Sequence, residues 1–253
     1  MGVLSPVLRP ALFRPWFRLP SFLAEREAGF WADFTRPTTL FQGTDETTPV
    51  TTFGNPIGRA NDQRVGPGSP ISITQATPGS RPLWQANGAE FNGTAHNLLT
   101  NFAAGAGANT LIARVLFPAS IGAFNYALGA VDGTGITRFG LGLNTDGTVG
   151  FAWGGTSPAV AKGTSDVRGS TAVVALSSDG TTVRGFVGNA VEYQAAASGI
   201  PPTTTVPVRL GGLNSNGTPA NFLACSISSA VGWRGGGLLD LARFQQIANA
   251  LGG

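Results

Sequence analysis

The side chains able to do chemistry are few, and their spacing limits what they can do together. The one histidine, His96, stands beside a turn in the run NGTAHNLL. A Ser-His-Asp relay needs an imidazole held between a hydroxyl and a carboxylate, and a zinc site needs several imidazole or thiolate ligands. A lone imidazole at a turn therefore reads as a surface or capping group. The one cysteine, Cys225, lies in the apolar run NFLACSISSAV and reads as a small buried hydrophobe. With no second cysteine it makes neither an internal disulfide nor a zinc pair, and the redox compartment stays open. Glycoside hydrolysis asks for two carboxyls facing across a groove, about 5 to 9 Å apart. Asp132, Asp146 and Asp179 occupy turn positions; Glu90, Asp166 and Glu192 stay near strands, with no i, i+2 pair among them. The loop acids Asp45, Glu46 and Asp62 remain, as partners of one another or as oxygen ligands for calcium, and ordinary solvated loop positions account for them better. Gly105 to Gly107 open no helix, which leaves phosphate cradling unsupported. On these residues the chain is expected not to be an enzyme and to carry no cofactor and no metal.

Sugar binding would call on an exposed aromatic ring. Phe151 and Trp153 fall on the core face of their strand, which leaves Trp84 as the freest tryptophan of the strand region.

The elements that must position these groups are β-strands. Over 253 residues, 37 Gly, 17 Pro and only 11% charged side chains describe an all-β chain with many tight turns, and 42% hydrophobic residues argue against disorder. Thr171 to Tyr193 shows the pattern most clearly. Asp179-Gly180 and Gly188-Asn189 supply the residue types that tight hairpins demand, and short runs of Val, Thr, Phe and Tyr flank them. Val173 and Ala175 lie on one face of the first run, Ala172, Val174 and Leu176 on the other. This predicts an interior strand covered on both sides, in a sheet packed on a second sheet. Turn, glycine and threonine recur at Asn92, Asp132, Asp146, Asp179 and Asn216, at irregular spacing that excludes a solenoid or propeller.

In Ile136 to Gly154, Phe139, Leu141, Leu143, Val149, Phe151 and Trp153 face the interior. The reverse face, Arg138, Gly140, Gly142, Asn144, Gly150, Ala152 and Gly154, is nearly free of side chains, so a loop, a second chain or a flat ligand can come close to the backbone there, a loop of the same chain being the commonest occupant. Short strands are also expected near Pro49 to Phe53 and Ile71 to Ala76, inside a long irregular segment, and one further strand over Val208 to Gly212. A helix is expected over Leu238 to Leu251, where Leu238, Leu241, Phe244, Ala248 and Leu251 recur at helical spacing between glycine clusters.

Two regions divide the chain: residues 1–22 as an extended arm and 23–253 as the sandwich. Prolines at 6, 10, 15 and 20 forbid a helix through the arm, and Leu4, Leu8, Leu12, Phe13, Trp16, Phe17 and Leu19 offer more apolar area than a free tail would. Arg9, Arg14 and Arg18 are its only charges. Subtracting these three from 16 basic residues leaves 13 against 13 acids, so the body is neutral. The arm therefore reads as an anchor into another protein, made by Arg9, Leu12, Phe13, Arg14, Trp16, Phe17 and Arg18, and nucleic acid is not expected as a partner. No apolar run is long enough to span a membrane, and prolines and arginines interrupt any signal-like stretch, so membrane insertion is not expected either.

The run GFWADFTRPTTLFQGTDETTPVTTFGNPIG, followed by QATPGSRPLWQANGAEFNG, is similar to the opening of concanavalin A-like, laminin-G-like domains of tailed-phage virion proteins. Trp31 to Asp33, Thr39 to Gln42, Thr47 to Thr51, Gly54 to Gly58, Gln75 to Pro82 and Phe91 to Gly93 carry the resemblance, which extends over about residues 29 to 251. It implies a concanavalin A-like jelly-roll sandwich with a C-terminal helix and an extended N-terminal arm. It also implies a place on the virion as fibre, spike or decoration protein. Partners would be other virion proteins of capsid, portal or tail, a host-surface polysaccharide, and further copies of the chain on the particle. The ExDxxE signature of laminarinase-type glucanases is missing, which counts against hydrolysis.

Overall fold

The structure is a computed structural model that describes residues 29–64, 72–105, 107–131, 138–154, 160–197 and 206–252. In chain order its strands are β1 (Gly29–Asp33), β2 (Leu40–Phe41), β3 (Arg59–Asn61), β4 (Ser72–Thr74), β5 (Leu83–Gln85), β6 (Gly88–Asn92), β7 (Leu98–Ala103), β8 (Asn109–Leu116), β9 (Asn125–Val131) and β10 (Arg138–Leu143). They continue with β11 (Thr148–Gly154), β12 (Val160–Asp166), β13 (Thr171–Ser178), β14 (Thr182–Val187), β15 (Ala190–Ala196), β16 (Pro207–Leu210), β17 (Gly212–Ser215), β18 (Thr218–Ala220) and β19 (Ala224–Arg234), and close on helix α1 (Leu241–Ala250).

These strands build the two-sheet, all-β sandwich expected. Sheet A runs β15-β14-β13-β8-β19-β6-β5, and sheet B runs β12-β11-β10-β9-β16-β7-β4-β3-β2. Pairing is antiparallel except where β17 lies parallel to β9. In sheet A the 11-residue β19 meets β8 along one edge, while β6 and β1 lie end to end on the other.

The meander over 171–193 forms as its turns require. The Asp179 Oδ1 accepts the N–H of Thr181 at 2.8 Å and of Thr182 at 2.7 Å, and the Thr181 hydroxyl at 2.8 Å, while Gly180 takes φ 91°. The same chemistry recurs at Asp146, which accepts the Thr148 N–H and hydroxyl. The threonine after the glycine thus closes the turn through its hydroxyl as well as entering the strand. As predicted, β13 is interior to its sheet, between β8 and β14. Its Val174 and Leu176 join the core between the sheets, and Val173 and Ala175 meet Phe186, Phe244, Ile247 and Ala248 on the outer side. The cover on that outer side is α1.

The helix starts later than its apolar spacing suggested. Asp240, in extended backbone, accepts the Arg243 N–H at 2.7 Å and so caps a helix beginning at Leu241, after Gly235, Gly236 and Gly237 have turned the chain at positive φ. Phe244 is fully buried with its ring centroid 4.7 Å from that of Phe186.

The faces of β10 and β11 fall as read. Phe139 pairs with Trp153, Leu141 with Phe151 and Leu143 with Val149, all buried between the sheets. The glycine face is occupied by Phe124 and Tyr126, whose rings meet edge-on at 4.8 Å, with Ala152, Val160 and Leu213 around them. Of the expected covering loop only Phe124 is present among the described residues; the rest of the cover comes from side chains of the same sheet, Tyr126 of β9, Val160 of β12 and Leu213 of β17.

Two strand expectations are corrected. Pro49 to Phe53 forms one isolated bridge, Pro49 with Phe41, because the Asn55 Oδ1 takes the N–H groups of Thr51 and Thr52 that a ladder would need. Val208 to Gly212 splits into β16 and β17 at Gly211, which turns at φ 79°. The Asp132-Gly-Thr134 turn lies outside the described residues.

Candidate functional site

The loop acids do not converge, since each is engaged locally. Glu46 pairs with Arg59. Asp45 holds the turn at Thr47, whose hydroxyl and N–H lower its pKa. Asp62 is buried beneath Arg64, 2.8 Å away, and also accepts the Trp31 N–H at 3.0 Å, which fixes β1 in place. The cap beside His96 is Asn92, whose Oδ1 accepts the N–H groups of Thr94, Ala95 and His96, while the imidazole stays near the surface with its Nδ1 3.4 Å from the Glu90 carbonyl. Cys225 is buried, and desolvation pushes its thiol pKa far up, which removes the thiolate needed for reactivity. Among the described residues no three His, Cys, Asp or Glu side chains group together. The expected anchor residues Arg9, Leu12, Phe13, Arg14, Trp16, Phe17 and Arg18 lie outside the described residues.

The aromatic surface does assemble, around Trp84 and a neighbour that sequence reading missed. On β5, at the edge of sheet A, Trp84 exchanges backbone hydrogen bonds with the loop beside it: its N–H reaches the Asn55 carbonyl and its carbonyl accepts the Gly54 N–H, both at 2.8 Å. That loop is a turn over Thr52–Asn55, with Gly54 at φ 89° and the Asn55 side chain tying its start. Below it, Ile57 is buried and donates to the Pro82 carbonyl. The tip of the turn carries Phe53, 57% exposed, with its ring centroid 4.6 Å from that of Trp84. The Trp84 Nε1 donates to the Phe34 carbonyl at 3.0 Å, which orients the indole.

Phe53 is the one aromatic side chain more than a third exposed among the described residues. Leaving it in water costs about 1.5–3 kcal/mol relative to burial, and the turn holds it there through at least five hydrogen bonds rather than letting it collapse inward. A rigid aromatic shelf with the polar Thr51, Thr52 and Asn55 beside it can stack on the C–H face of a pyranose while hydroxyl and amide groups meet its rim. Sequence reasoning missed Phe53 because it sits in the irregular segment, where alternation says nothing about exposure. By contrast Phe151 and Trp153 are in the core, as expected.

A second unforeseen feature lies under the β17–β18 hairpin. Arg209 is 4% exposed, its Nη1 donates to the Asn97 Oδ1, which also accepts the Gln75 Nε2 at 2.7 Å, and burial pushes the guanidinium pKa down to about 10. No carboxylate pairs with it among the described residues, and its Nη2 reaches the Gly217 carbonyl at 3.5 Å, so the network ties the hairpin to the chain entering β7.

Fold and site together define an all-β, two-sheet sandwich carrying a rigid aromatic shelf at one sheet edge. No protein-family model and no curated protein sequence matches the chain. Solved structures do. Trypanosoma rangeli sialidase in complex with sialic acid is similar at TM-score 0.55 and 13% identity, over 87% of this chain and 32% of that one. The same sialidase with a difluoro-KDN ligand gives 0.52 and 16%, over 85% and 36%. The carbohydrate-binding module CBM40 of Ruminococcus gnavus IT-sialidase superposes more loosely, at 0.45 and 19%, over 56% and 83%. The chain thus spans about a third of the length of the sialidase chains it matches, and identity this low conveys the fold alone.

One expectation falls on this comparison. The chain was expected not to be an enzyme, yet the sialidases that share its sandwich are glycoside hydrolases. A single histidine and scattered carboxylates therefore do not exclude hydrolysis, since the sequence distances between acids say little about their distances in a fold whose strands are paired far out of chain order.

Proposed function

We propose that the chain is a virion structural protein of phage type, a fibre, spike or decoration, which displays a saccharide-contacting sandwich and is held on the particle by residues 1–22. The observation that carries the saccharide reading is Phe53, held out of the core against Trp84 at a fixed sheet edge. The virion reading draws on the sequence resemblance, and on an arm whose Leu12, Phe13, Trp16 and Phe17 call for burial in a neighbour, with Arg9, Arg14 and Arg18 meeting acidic or carbonyl acceptors.

Two measurements test it. In a glycan array with host capsule and lipopolysaccharide fragments, the full chain binds, and Phe53→Ala weakens binding about tenfold, the loss of one stacking contact of about 1.4 kcal/mol. Unchanged binding by that variant removes the shelf from the reading. A chain lacking residues 1–22 stays folded and no longer enters particles; full incorporation overturns the anchor. Assaying reducing ends in the same incubations reports hydrolysis directly.

A further inference from the structure

On the outer face of sheet A two cross-strand rows lie side by side. The first, Trp31, Val231, Ile112 and Ala175, is apolar and lies in the cluster that α1 covers. The second, one pleat along, is Asp33, Ser229 and Arg114, and it emerges just beyond the helix's last turn. There the sheet and the chain at Ala250–Gly252 border an open cavity of about 400 Å³, with Trp31 in one wall and Asp33, Arg36, Arg114 and Ser229 around it.

The hydrogen bonds decide what this cavity can hold. The Asp33 carboxylate is used up: Oδ1 accepts the Thr35 N–H at 3.0 Å and its hydroxyl at 2.6 Å, and Oδ2 pairs with the Arg36 Nε at 2.9 Å. The Ser229 hydroxyl donates to the Ala32 carbonyl and accepts the Trp31 Nε1. Arg114 is different. Its Nη1 donates to the Ser228 Oγ at 3.2 Å, its Nε is buried with no partner among the described residues, and no carboxylate pairs with it there. With its Nε lying below the surface, Arg114 can offer the cleft only its Nη groups, and Arg36 pairs with Asp33, the only acid among the described residues of the wall. A fork of this kind takes a carboxylate in bidentate geometry. The Trp31 indole offers a flat apolar surface to the C–H face of a sugar ring, while the Ile247, Ala248 and Asn249 carbonyls at the end of α1 already accept the Leu251 and Gly252 N–H groups. The volume suits one or two sugar units.

We propose that this cavity binds a carboxylated sugar unit, with Arg114 on the carboxylate and Trp31 against the ring. It is separate from the Phe53 shelf and does not depend on it.

The test is a titration of the full chain with D-glucuronate, D-glucose and acetate, followed by nitrogen-edited NMR at the Trp31 indole and the Arg114 Nε–H. Expected is a saturable shift of both signals with glucuronate, at least about tenfold weaker with glucose, which lacks the carboxylate, and with acetate, which lacks the ring. Arg114→Gln abolishes the Trp31 response. Arg114→Lys, which keeps the charge and loses the fork, weakens it and guards against a folding failure of the glutamine variant. Equal response to acetate with Trp31 silent marks a general anion contact and overturns the proposal. So does an Arg114→Gln variant that is less stable yet binds glucuronate unchanged, since Arg114 would then only support the helix end. Both readouts report on the cavity, so a silent shelf and a silent cavity are told apart.

Discussion

The glycine face of sheet B offers a sharp test of which contacts in this sandwich are rigid. At Gly140 on β10 a methyl group would lie 2.5 Å from the Leu128 carbonyl oxygen and 2.9 Å from the Gly129 Cα, both backbone atoms of β9. Relief requires parting two paired strands at Leu141–Leu128 and Gly140–Gly129. Overpacking of this sort costs about 1–3 kcal/mol, and each weakened ladder bond about 1 kcal/mol more, against roughly 0.5–1 kcal/mol regained by removing a strand glycine. The net expectation for Gly140→Ala is a loss of about 3 kcal/mol. At Gly150 on β11, the atoms met are side-chain ends, the Phe124 ring and the Val160 Cγ1 at 2.9 Å. Phe124 can swing aside, giving up its edge contact with Tyr126, worth about 0.5–1.5 kcal/mol, so the net change in Gly150→Ala is about 0–1 kcal/mol. Urea unfolding followed by tryptophan fluorescence reads both, with equal slopes expected since the surface exposed on unfolding is the same. If Gly150→Ala proves as costly as Gly140→Ala, the distinction between backbone and side-chain obstruction fails.

Three further outcomes follow from the same structure. Phe244→Ala empties the buried contact between α1 and Phe186 and lowers unfolding free energy by about 3–5 kcal/mol, read by the same urea midpoints. Asp240→Ala removes the cap on Arg243 and costs about 1 kcal/mol, while Asp240→Asn costs a few tenths, which separates capping from charge. The carboxyls of Asp146, Asp166 and Asp179 are held below their ordinary pKa, by Lys162 and Thr148, by Arg168, and by the turn N–H groups of Thr181 and Thr182 respectively. A depressed folded-state pKa stabilises above the unfolded value, so stability should be level above about pH 4 and fall as pH drops through the folded values. Urea midpoints across that range show it, and Asp179→Asn should flatten the acid slope.

Legibility followed the range of the determining interaction. The 171–193 meander could be read because each turn is closed by residues two or three apart, as at Asp179 and Thr181. The faces of β10 and β11 could be read because their pairing is a hairpin. Helix α1 was placed by its spacing, but its start was not, since that depends on where Asp240 caps. What stayed hidden was set by partners far away in the chain. The Arg114 row joins three strands through Asp33 and Ser229, and the Trp31 indole N–H that reaches Ser229 from the neighbouring row lies 198 positions away in the chain. The buried Arg209 is explained only by Asn97, 112 residues earlier. Phe53 carries no periodic signal, because a shelf at a turn tip depends on what fails to cover it. The mistaken exclusion of enzymes has the same origin, for it judged convergence along the chain rather than across paired strands.

The position of β19 sets the order in which sheet A can be completed during synthesis. Until Arg234 has emerged from the ribosome, β8 with β13, β14 and β15 forms one raft, β5 with β6 a second, and β1 has nothing to pair with. For most of translation, then, the nascent chain carries open strand edges that invite self-association, and closure is slow because it joins segments about 200 residues apart. Soluble yield should therefore respond more to chaperone supply and elongation rate than to surface substitutions, and chains that terminate before Ala224 should aggregate rather than persist as half-built sandwiches.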